Sequence, residues 1–411
     1  MNIKIFIKGN SMKIAVFHNL SSGGAKRALY NNLIFLSKNH NIDVYVPSTA
    51  NENFLPLKHV VNDINIYPVK NSITGFVLSS LKYFPSKSSL TDLKKVQIKM
   101  AQDVNSKDYD VVYCEQDRHT MSPFFLKYLK KPHVYYCQQP IIFRNNISKK
   151  LYDNAGLKNK NLKENLRFRV YGKRMSNLDK KIANSSEYTV VNSYFSREIL
   201  LKSYGINSFV SYLGVDTNVF KQLKIQKENF VLSVGQCLPE KGYEFIIRSL
   251  AKIKPSLRPE FVIVSDQGND SWKNYLIKLG SKLNVKLILL RLIDDKKLVS
   301  LYNQAKLTVY APYLEPFGLV PLESMSCGTP VVGVKEGGVR ETVIHGKTGI
   351  LTERDELLFA EAIVELLRNE NKMDCMSKNS INYIKNYWDI DSSGKRLLCH
   401  LNQAMNDYIY V

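Results

Sequence analysis

The sequence lacks the patterns that mark several common protein classes. Its six cysteines are scattered, with no C-x-x-C pair and no histidine cluster at metal-ligand spacing, which argues against a disulfide framework and a zinc site. No run approaches the ~20 apolar residues of a membrane-spanning helix, and the N-terminus lacks the long apolar stretch of a signal peptide. We therefore expect a cytoplasmic protein with reduced thiols. The strand pattern that begins at Met12 makes residues 1–11 an expected extension outside the fold.

Acidic residues are also scarce in the first half of the chain. The net charge is +21, and residues 1–210 carry 32 Lys and Arg against 14 Asp and Glu, whereas residues 211–411 carry 26 against 23. Such a field attracts nucleic acid, anionic lipid headgroups or anionic substrates, and charge alone does not choose among them. Because no nucleic-acid recognition motif accompanies the charge, we expect no nucleic-acid partner.

The length and the order of patterns predict two α/β domains. A chain of 411 residues suits two domains of about 200 residues each, with a cleft between them. The segment 14–47 alternates strand, Gly-Gly turn, helix and strand, and a second series of short apolar strands begins at residue 230. The polar stretch 221–229 is the expected linker. The segment 387–408 reads as a capped helix whose apolar face needs a partner surface.

The most informative stretch is residues 315–349, which begins EPFGLVPLESMSCGTPVVG. It follows a predicted strand and enters a short helix, so Glu315 lies at the carboxyl end of a strand, where open α/β sheets bind ligands. Glu323 lies on the helix itself. The first backbone amides of that helix suit the hydroxyls of a sugar and the charge of a diphosphate. The alternative is that both acids are ordinary helix N-terminal residues, which the helix dipole stabilises without any ligand.

This stretch resembles the E-x7-E signature of glycosyltransferase family 4, whose members are retaining GT-B enzymes that use nucleotide-sugars without a metal. By that resemblance Glu315 would contact the donor sugar and Glu323 the ribose hydroxyls. The backbone of four residues would bind the sugar hydroxyls and the phosphate. These residues are Phe317, Gly318, Leu319 and Val320.

A second match is SVGQCLPEKGYEFIIRSL, residues 233–250, which is similar to the family's strand, turn and E-K-G helix start. Gly235 begins the turn, and Lys241 falls where the family has a diphosphate-binding lysine, a suitable cation for a leaving group that gains charge. Gln236 stands in place of the usual arginine and cannot supply its charge. Arg291 stands where the family has a glycine. It either supplies the missing charge or is simply an exposed residue.

The N-terminal half carries two weaker matches. The string SSGGAKRAL resembles the family's G-G-A-x-R loop, in which two glycines, here Gly23 and Gly24, let the backbone approach the donor phosphate. The string YYCQQPIIF resembles a strand end where relatives, notably mannosyltransferases of lipid-linked oligosaccharide assembly, carry a histidine. That place is Gln138, and a glutamine cannot act as a general base. The implied catalytic set is Glu315, Lys241 and Gln138.

The resemblance implies an α/β protein of GT-B fold with two Rossmann-like, doubly wound domains. The expected boundaries are 1–221 for an acceptor-binding domain, 222–385 for a donor-binding domain and 386–411 for a helix that returns to the first domain. The implied reaction is transfer of a hexose-type sugar from a UDP- or GDP-linked donor to a glycan or lipid-linked acceptor, with retention and without a metal or other cofactor. Two alternatives stay open: a degenerate member that binds a sugar or partner without turnover, and a nucleotide-sugar epimerase or phosphorylase of the same fold.

Basic and amphipathic stretches suggest a surface for a membrane. Residues 144–181 hold twelve Lys and Arg against three Asp and Glu, with apolar residues at helical spacing, and residues 73–84 are apolar. One interpretation is a solvated basic helix. The other is a surface that binds anionic lipid, which would place the protein on the inner face of the membrane near a lipid-linked acceptor.

Overall fold

The chain folds into two domains, each built on a parallel β-sheet. The structure is a computed structural model, and it describes residues 11–70, 87–140, 151, 162–265, 268, 270–291 and 293–409. Every strand pair within the two sheets is parallel. Helices connect the strands, as parallel pairing requires.

The N-terminal sheet has the strand order β3-β2-β1-β4-β5-β6-β7. Its strands are β1 (Lys13–Asn19), β2 (Asn41–Pro47), β3 (Asp63–Tyr67), β4 (Val111–Asp117), β5 (His133–Cys137), β6 (Thr189–Val191) and β7 (Phe209–Val210). The helices described in this domain are α1 (Gly24–Leu36), α2 (Lys87–Ser106), α3 (Leu162–Ala183) and α4 (Tyr194–Tyr204).

The C-terminal sheet has the strand order β10-β9-β8-β11-β12-β13. Its strands are β8 (Glu228–Val234), β9 (Glu260–Val264), β10 (Leu287–Leu290), β11 (Ala305–Tyr310), β12 (Val331–Val334) and β13 (Gly349–Thr352). The helices are α5 (Tyr243–Lys252), α6 (Asp270–Lys282), α7 (Asp295–Gln304), α8 (Leu319–Ser326), α9 (Val339–Thr342), α10 (Glu356–Arg368), α11 (Glu370–Tyr387) and α12 (Ile390–Ile409).

Both sheets reverse their strand order beside the first strand of the domain. The reversal lies between β1 and β4 in the N-terminal domain and between β8 and β11 in the C-terminal domain. Connections leave the sheet in opposite directions at such a point, so a crevice opens at the carboxyl ends of the two strands. The topology therefore marks one crevice in each domain as a place for ligands.

The central strands are buried along their whole length, which explains their apolar sequences. All seven residues of β4 are buried, and so are the apolar residues of β1 and β11. Helices cover both faces of a parallel sheet, so these strands read as continuous apolar runs rather than as alternating ones. The exception is the end of β4, where Glu115, Gln116 and Asp117 are polar and still buried.

The last helix, α12, packs back on the N-terminal domain as the fold prediction states. Leu397, Leu398 and Leu401 are buried, and α12 contacts α1, β4 and β5. Gly394 lies so close to α1 that an added Cβ would come 2.1 Å from the ring of Phe35. The side chain of Asp389 caps the start of this helix, where it accepts a hydrogen bond from the backbone N–H of Ser392.

These features confirm the predicted GT-B fold of two Rossmann-like domains. The predicted boundary at 221/222 falls between β7 and β8, and the one at 385/386 falls near the end of α11. The expected linker 221–229 extends too far, since β8 begins at Glu228. The linker also packs on the C-terminal domain, where Asn303 accepts from the backbone of Leu223 and donates to that of Lys221.

The basic segment is only partly described. Residues 1–10, 73–84, 144–150 and 152–161 lie outside the described residues. In the described part of α3, Val170 is exposed, but Leu178 and Ile182 pack against the core of the N-terminal domain. The expectation of one continuous apolar face free for a membrane is therefore wrong at this end of the helix. Among the described helices, none is both long enough and apolar enough to cross a membrane.

Candidate active site

The carboxyl ends of β8 and β11 bring together the two charged side chains of the predicted donor site. The Nζ atom of Lys241 lies 2.8 Å from Oε2 of Glu315, and about a fifth of each side chain is exposed. Gly235, with φ 148°, directly follows β8 and lies beside them. A Cβ added there would lie 3.6 Å from Cδ of Lys241 and 3.1 Å from Oη of Tyr243. A cation and a carboxylate thus share the crevice of the C-terminal sheet. The phosphates of a bound nucleotide would compete with Glu315 for the ammonium group.

The loop between β11 and α8, which carries Glu315, is fixed by Arg354. The guanidinium donates to the backbone carbonyls of Ala311 (2.9 Å) and Pro312 (2.8 Å) and lies 3.8 Å from the ring centroid of Tyr313. Glu336 neutralises it through contacts of 2.7 and 2.8 Å. Three parts of the loop are therefore held by one planar cation.

Two glycines allow a second turn to approach the same loop. A Cβ added at Gly337 would lie 2.3 Å from the carbonyl oxygen of Glu315. A Cβ added at Gly338 would lie 2.2 Å from the carbonyl oxygen of Pro316. The N–H of Gly338 donates to the carbonyl of Glu315 at 2.8 Å. A side chain at either position would push the loop away and displace Glu315.

The helix α8 begins at the predicted place. Gly318 precedes it with φ 102°, Phe317 is buried, and Leu319 and Val320 are half-buried at its first turn. The structure also brings the Gly-Gly turn of the N-terminal domain to this helix, because a Cβ at Gly24 would lie 3.5 Å from Cδ1 of Leu319. Gly23, with φ 130°, precedes α1 at that turn. The two helix starts therefore face each other across the cleft.

Glu323 is buried and its carboxylate contacts both domains. Its Oε2 accepts from the hydroxyl of Tyr302 at 2.9 Å, and its Oε1 lies 3.4 Å from Nε of Arg27 in α1. Burial raises the pKa of Glu323, while the Arg27 charge and the Tyr302 hydrogen bond work in the opposite direction. A ribose could reach this carboxylate only if Arg27 shared it or moved.

Arg27 makes a bidentate ionic contact between the domains. Its Nη1 and Nη2 lie 2.9 and 2.6 Å from the two carboxylate oxygens of Asp295, at the start of α7. The guanidinium also lies over the ring of Phe220, 5.2 Å from the centroid. A bidentate pair of this kind sets both distance and orientation.

Two residues of the C-terminal domain, Gln236 and Arg291, depart from the family pattern. Gln236 follows Gly235, and its backbone carbonyl accepts from the N–H of Leu238. Arg291 is exposed, and its Nη2 lies 3.2 Å from Oδ1 of Asp270. Burial raises the pKa of the Cys237 thiol to about 11, and the charge of Arg291 opposes that rise. Arg291 is thus an exposed residue whose field still reaches the turn that contains Gln236.

In the N-terminal domain, Gln138 belongs to a buried polar cluster. Its Nε2 lies 3.3 and 3.4 Å from the two carboxylate oxygens of Glu115, and its Oε1 accepts from Nδ2 of Asn192 at 2.9 Å. Tyr113 also donates its hydroxyl to Glu115. Burial raises the pKa of Glu115 to about 7, although the hydrogen bonds from Tyr113 and Gln138 lower it. A carboxyl group that titrates near neutral pH therefore stands directly behind Gln138.

The start of α4 joins this cluster to the loop between β11 and α8, which carries Glu315. Ser193 accepts from the N–H of Ser196 and donates its hydroxyl to the carbonyl of Pro316 at 2.5 Å. Glu341, from α9 of the C-terminal domain, accepts from the N–H groups of Tyr194 (2.9 Å) and Phe195 (3.0 Å). A carboxylate at a helix N-terminus is favourable by both hydrogen bonding and the dipole. This contact is a second polar link between the two domains.

A second buried ionic cluster lies near the Gly-Gly turn. Glu52 accepts from Lys26, which is fully buried, and lies 2.9 Å from Nε2 of His18. Burial lowers the pKa of His18 to about 4 and also lowers the pKa of Lys26. Burial favours a raised pKa for Glu52, but the hydrogen bonds and charges of His18 and Lys26 lower it to about 2. Lys26 and Glu52 thus form an ion pair next to a neutral histidine.

No cluster of three or more His, Cys, Asp or Glu that could hold a metal ion occurs among the residues that the structure describes. Sequence reasoning missed five residues of the site that the fold brings in. These are Arg27, Glu115, Ser193, Glu341 and Arg354. Two of them carried a usable signal: Arg27 is the last residue of the G-G-A-x-R pattern, and Glu115 is an acid that directly follows the apolar run 111–114.

Two facing Rossmann-like domains, with polar sites at both points of strand reversal, define the GT-B fold of glycosyltransferases. Solved structures agree with this fold. Anabaena HepE in complex with UDP and glucose superposes with a TM-score of 0.71 at 19% identity, over 95% of this chain and 99% of that one. The sucrose-phosphate synthase of Thermosynechococcus elongatus superposes with a TM-score of 0.74 at 16% identity, over 96% and 100%.

Sequence comparison places the family likeness in the C-terminal half. Residues 215–383 match the family model of glycosyl transferases group 1. An uncharacterised glycosyltransferase of Methanocaldococcus jannaschii is 36% identical over 125 residues, which is 30% of this chain and 31% of the relative. An alpha-1,3/1,6-mannosyltransferase of Mus musculus is 25% identical over 288 residues, 64% of this chain and 66% of the relative. The chain thus matches about a third to two thirds of the length of these relatives.

Proposed function

We propose that this protein is a retaining glycosyltransferase that moves a hexose-type sugar from a nucleoside-diphosphate sugar to a glycan or lipid-linked acceptor. The observation that carries the proposal is the pairing of Lys241 with Glu315 in the crevice between β8 and β11. There a cation can bind a diphosphate and a carboxylate can bind sugar hydroxyls. The match of residues 215–383 to glycosyl transferases group 1 supports this assignment.

The proposed mechanism is attack on the face of the sugar that the diphosphate leaves. Retention by double displacement needs a carboxylate nucleophile beneath the anomeric carbon, whereas the resemblance to glycosyltransferase family 4 implies attack from the same face. In the proposed step the acceptor hydroxyl attacks, the bond to the diphosphate breaks, and the leaving phosphate oxygen takes the hydroxyl proton. Lys241 and the start of α8 stabilise the charge that develops on the phosphate. No metal ion is required.

The donor and acceptor classes are proposed from the relatives. A relative of Dictyostelium discoideum is named as a GDP-mannose-dependent mannosyltransferase acting on a dolichol-linked glycan, and HepE binds UDP-glucose. These names support a UDP- or GDP-linked donor and, for this chain, a role in polysaccharide or glycolipid synthesis. The net charge of +18 on residues 1–210 fits an acceptor or membrane of negative charge.

Release of free nucleotide from a panel of UDP- and GDP-sugars, with and without membrane extract, tests the proposal. A transferase releases nucleotide only with an acceptor, apart from slow hydrolysis, whereas an epimerase gives a new sugar nucleotide and a degenerate binding protein gives neither. The same assay in EDTA tests the metal-free mechanism. Activity that is lost in EDTA and restored by Mn²⁺ or Mg²⁺ would contradict it.

A further inference from the structure

A continuous chain of hydrogen bonds runs from the buried carboxyl group of Glu115 to the loop between β11 and α8, which carries Glu315. Glu115 lies near the end of β4, Gln138 follows β5, and Asn192 follows β6, so neighbouring strands place the three side chains in a row. Gln138 donates to Glu115, and Asn192 donates to Gln138. All three side chains are buried, and hydrogen bonds between buried groups are stronger than those exposed to water.

The row continues across the cleft through the start of α4. Ser196 donates its hydroxyl to Oδ1 of Asn192 at 2.7 Å, and its backbone N–H donates to Oγ of Ser193 at 2.9 Å. Ser193 then donates to the carbonyl of Pro316, the residue that follows Glu315. Ser193 and Ser196 each have a second acceptor within reach, but the side-chain amides of Gln138 and Asn192 both donate toward Glu115 and give this part of the row a defined direction.

An ionised Glu115 sets that direction. A carboxylate only accepts, so Gln138 must turn its Nε2 toward Glu115 and its Oε1 toward Asn192. A protonated Glu115 carries a donor of its own and no longer requires Nε2 of Gln138, so the contact from Asn192 is then left to hold the amide orientation. The ionisation of Glu115 therefore changes how firmly Gln138 is held at the acceptor side of the cleft.

We propose that Glu115 is a positioning residue of the transferase site, which acts through Gln138 and, by way of Asn192 and α4, holds the acceptor side of the cleft in register with the loop that carries Glu315. This inference rests on the proposed function. It assigns to a residue outside the family motifs the task of orienting Gln138, which stands where relatives carry histidine.

Ionisation then links activity to pH. Because burial raises the pKa of Glu115 to about 7, the carboxylate form is lost as the pH falls through neutrality. The titratable groups that face it are Tyr113 and Cys114 on β4 and Tyr136 and Cys137 on β5, and each of their pKa values is raised by burial. Arg396, on α12, carries a positive charge that opposes the rise in the pKa of Tyr136. The tyrosines and cysteines are already neutral at pH 7, and a raised pKa keeps them neutral. Of this cluster, Glu115 is therefore the group that changes charge near pH 7.

The test compares Glu115→Gln with Asp179→Asn. Asp179 is an equally buried carboxyl group of the same domain, bonded to Ser122 and Tyr204 and outside the chain of hydrogen bonds, so it is the matched control. With a donor and acceptor that the wild type uses, kcat and its pH dependence are measured, together with the Kd of UDP or GDP. We expect kcat of the wild type to rise through about pH 7. Glu115→Gln should lose about tenfold in kcat and lose this rise, with the nucleotide Kd unchanged.

The outcomes separate the two proposals. A wild type that transfers sugar from no donor refutes the proposed function. A wild type that transfers sugar while Glu115→Gln keeps its kcat and pH profile refutes the positioning role alone, as does an equal loss of kcat in Asp179→Asn with both pH profiles intact. Should Glu115→Gln fail to fold, Asn192→Asp replaces it, because a carboxylate there cannot donate to Gln138. A kcat equal to that of the wild type in this variant would also overturn the inference.

Discussion

Arg27 and Asp295 lie 268 positions apart in the chain and form a bidentate ion pair between the two domains. The same guanidinium lies 3.4 Å from Glu323, so one cation of the N-terminal domain serves two carboxylates of the C-terminal domain. The pair is mostly buried, with 13% of the Arg27 side chain and 32% of the Asp295 side chain exposed. The cleft is therefore closed by a contact inside the proposed donor pocket.

Arg27→Ala should open the cleft. Two carboxylates would remain without their cation, and loss of one partner of a buried pair costs about 3–5 kcal/mol. We expect a larger radius of gyration by small-angle X-ray scattering and a kcat at least about tenfold lower, since closure orients the substrates. The control is Lys38→Ala, which breaks an exposed pair with Asp391 worth at most about 1 kcal/mol. An unchanged scattering profile in Arg27→Ala would show that this pair does not hold the domains together.

Glu315→Ala and Lys241→Ala should fail in different ways. Removing Glu315 frees Lys241 for the diphosphate, so nucleotide affinity should be kept while transfer falls at least about a hundredfold. Removing Lys241 leaves an unpaired carboxylate beside the phosphates, so the Kd of UDP or GDP should rise at least about tenfold. Calorimetry and initial rates give the two quantities, and Lys252→Ala, which removes an exposed lysine of the same domain, is the control. Wild-type turnover by Glu315→Ala would contradict the site assignment.

The cluster of His18, Lys26 and Glu52 should make the protein acid-sensitive. The folded state lowers the pKa of His18 from 6.5 to about 4, so its contribution to stability is present above pH 6.5 and is lost as the pH falls toward 4. Glu52, with a pKa lowered to about 2, adds a loss below pH 4.5. We expect His18→Gln to remove up to about 3 kcal/mol of the pH dependence between 6.5 and 4. Denaturant unfolding at several pH values measures this.

The exposed His59 provides the control for that experiment, because His59→Gln changes a ring that lies on the surface. A His18→Gln protein whose unfolding free energy falls with acid as steeply as that of the wild type would show that other groups carry the effect.

Vesicles test the proposed membrane surface. Lys173, Arg174, Lys180 and Lys181 are exposed on α3, and each basic residue near an anionic surface contributes about 1 kcal/mol. The wild type should sediment with anionic vesicles at low salt, less so at high salt or with neutral lipid. Changing these four residues to Glu should reduce sedimentation without altering nucleotide affinity. The same change at Lys252, Lys254, Lys278 and Lys282, exposed on the other domain, should not. A wild type that ignores anionic vesicles at low salt would argue for a soluble acceptor.

The sequence predicts well those parts of the site whose residues are close together in the chain. The string from Glu315 to Glu323 combines a strand end, a turn and a helix start, and local patterns suffice to place all three. Lys241 is likewise placed by its own turn. The 2.8 Å contact between Lys241 and Glu315 is not predictable in this way, since it depends on β8 and β11 being neighbours although they are not consecutive strands.

The residues that join the domains could not be predicted from local patterns. Glu341 reads as an ordinary acid of a short helix, and its role appears only when α4 of the other domain presents its first N–H groups. The apolar spacing on α3 was misleading for a related reason. A helix that faces its own core and a helix that faces a membrane carry the same stripe, and only the fold shows that Ile182 is buried inside the domain.

The contact between Gly394 and Phe35 bears on how the protein is made. The N-terminal domain is synthesised first, yet the surface of α1 that receives α12 stays uncovered until the ribosome has added residues 390–409. A nascent first domain must therefore wait, with an apolar groove open to solvent, while more than half of the chain is translated. The final stability of the first domain therefore depends on a helix that is translated only after the whole second domain.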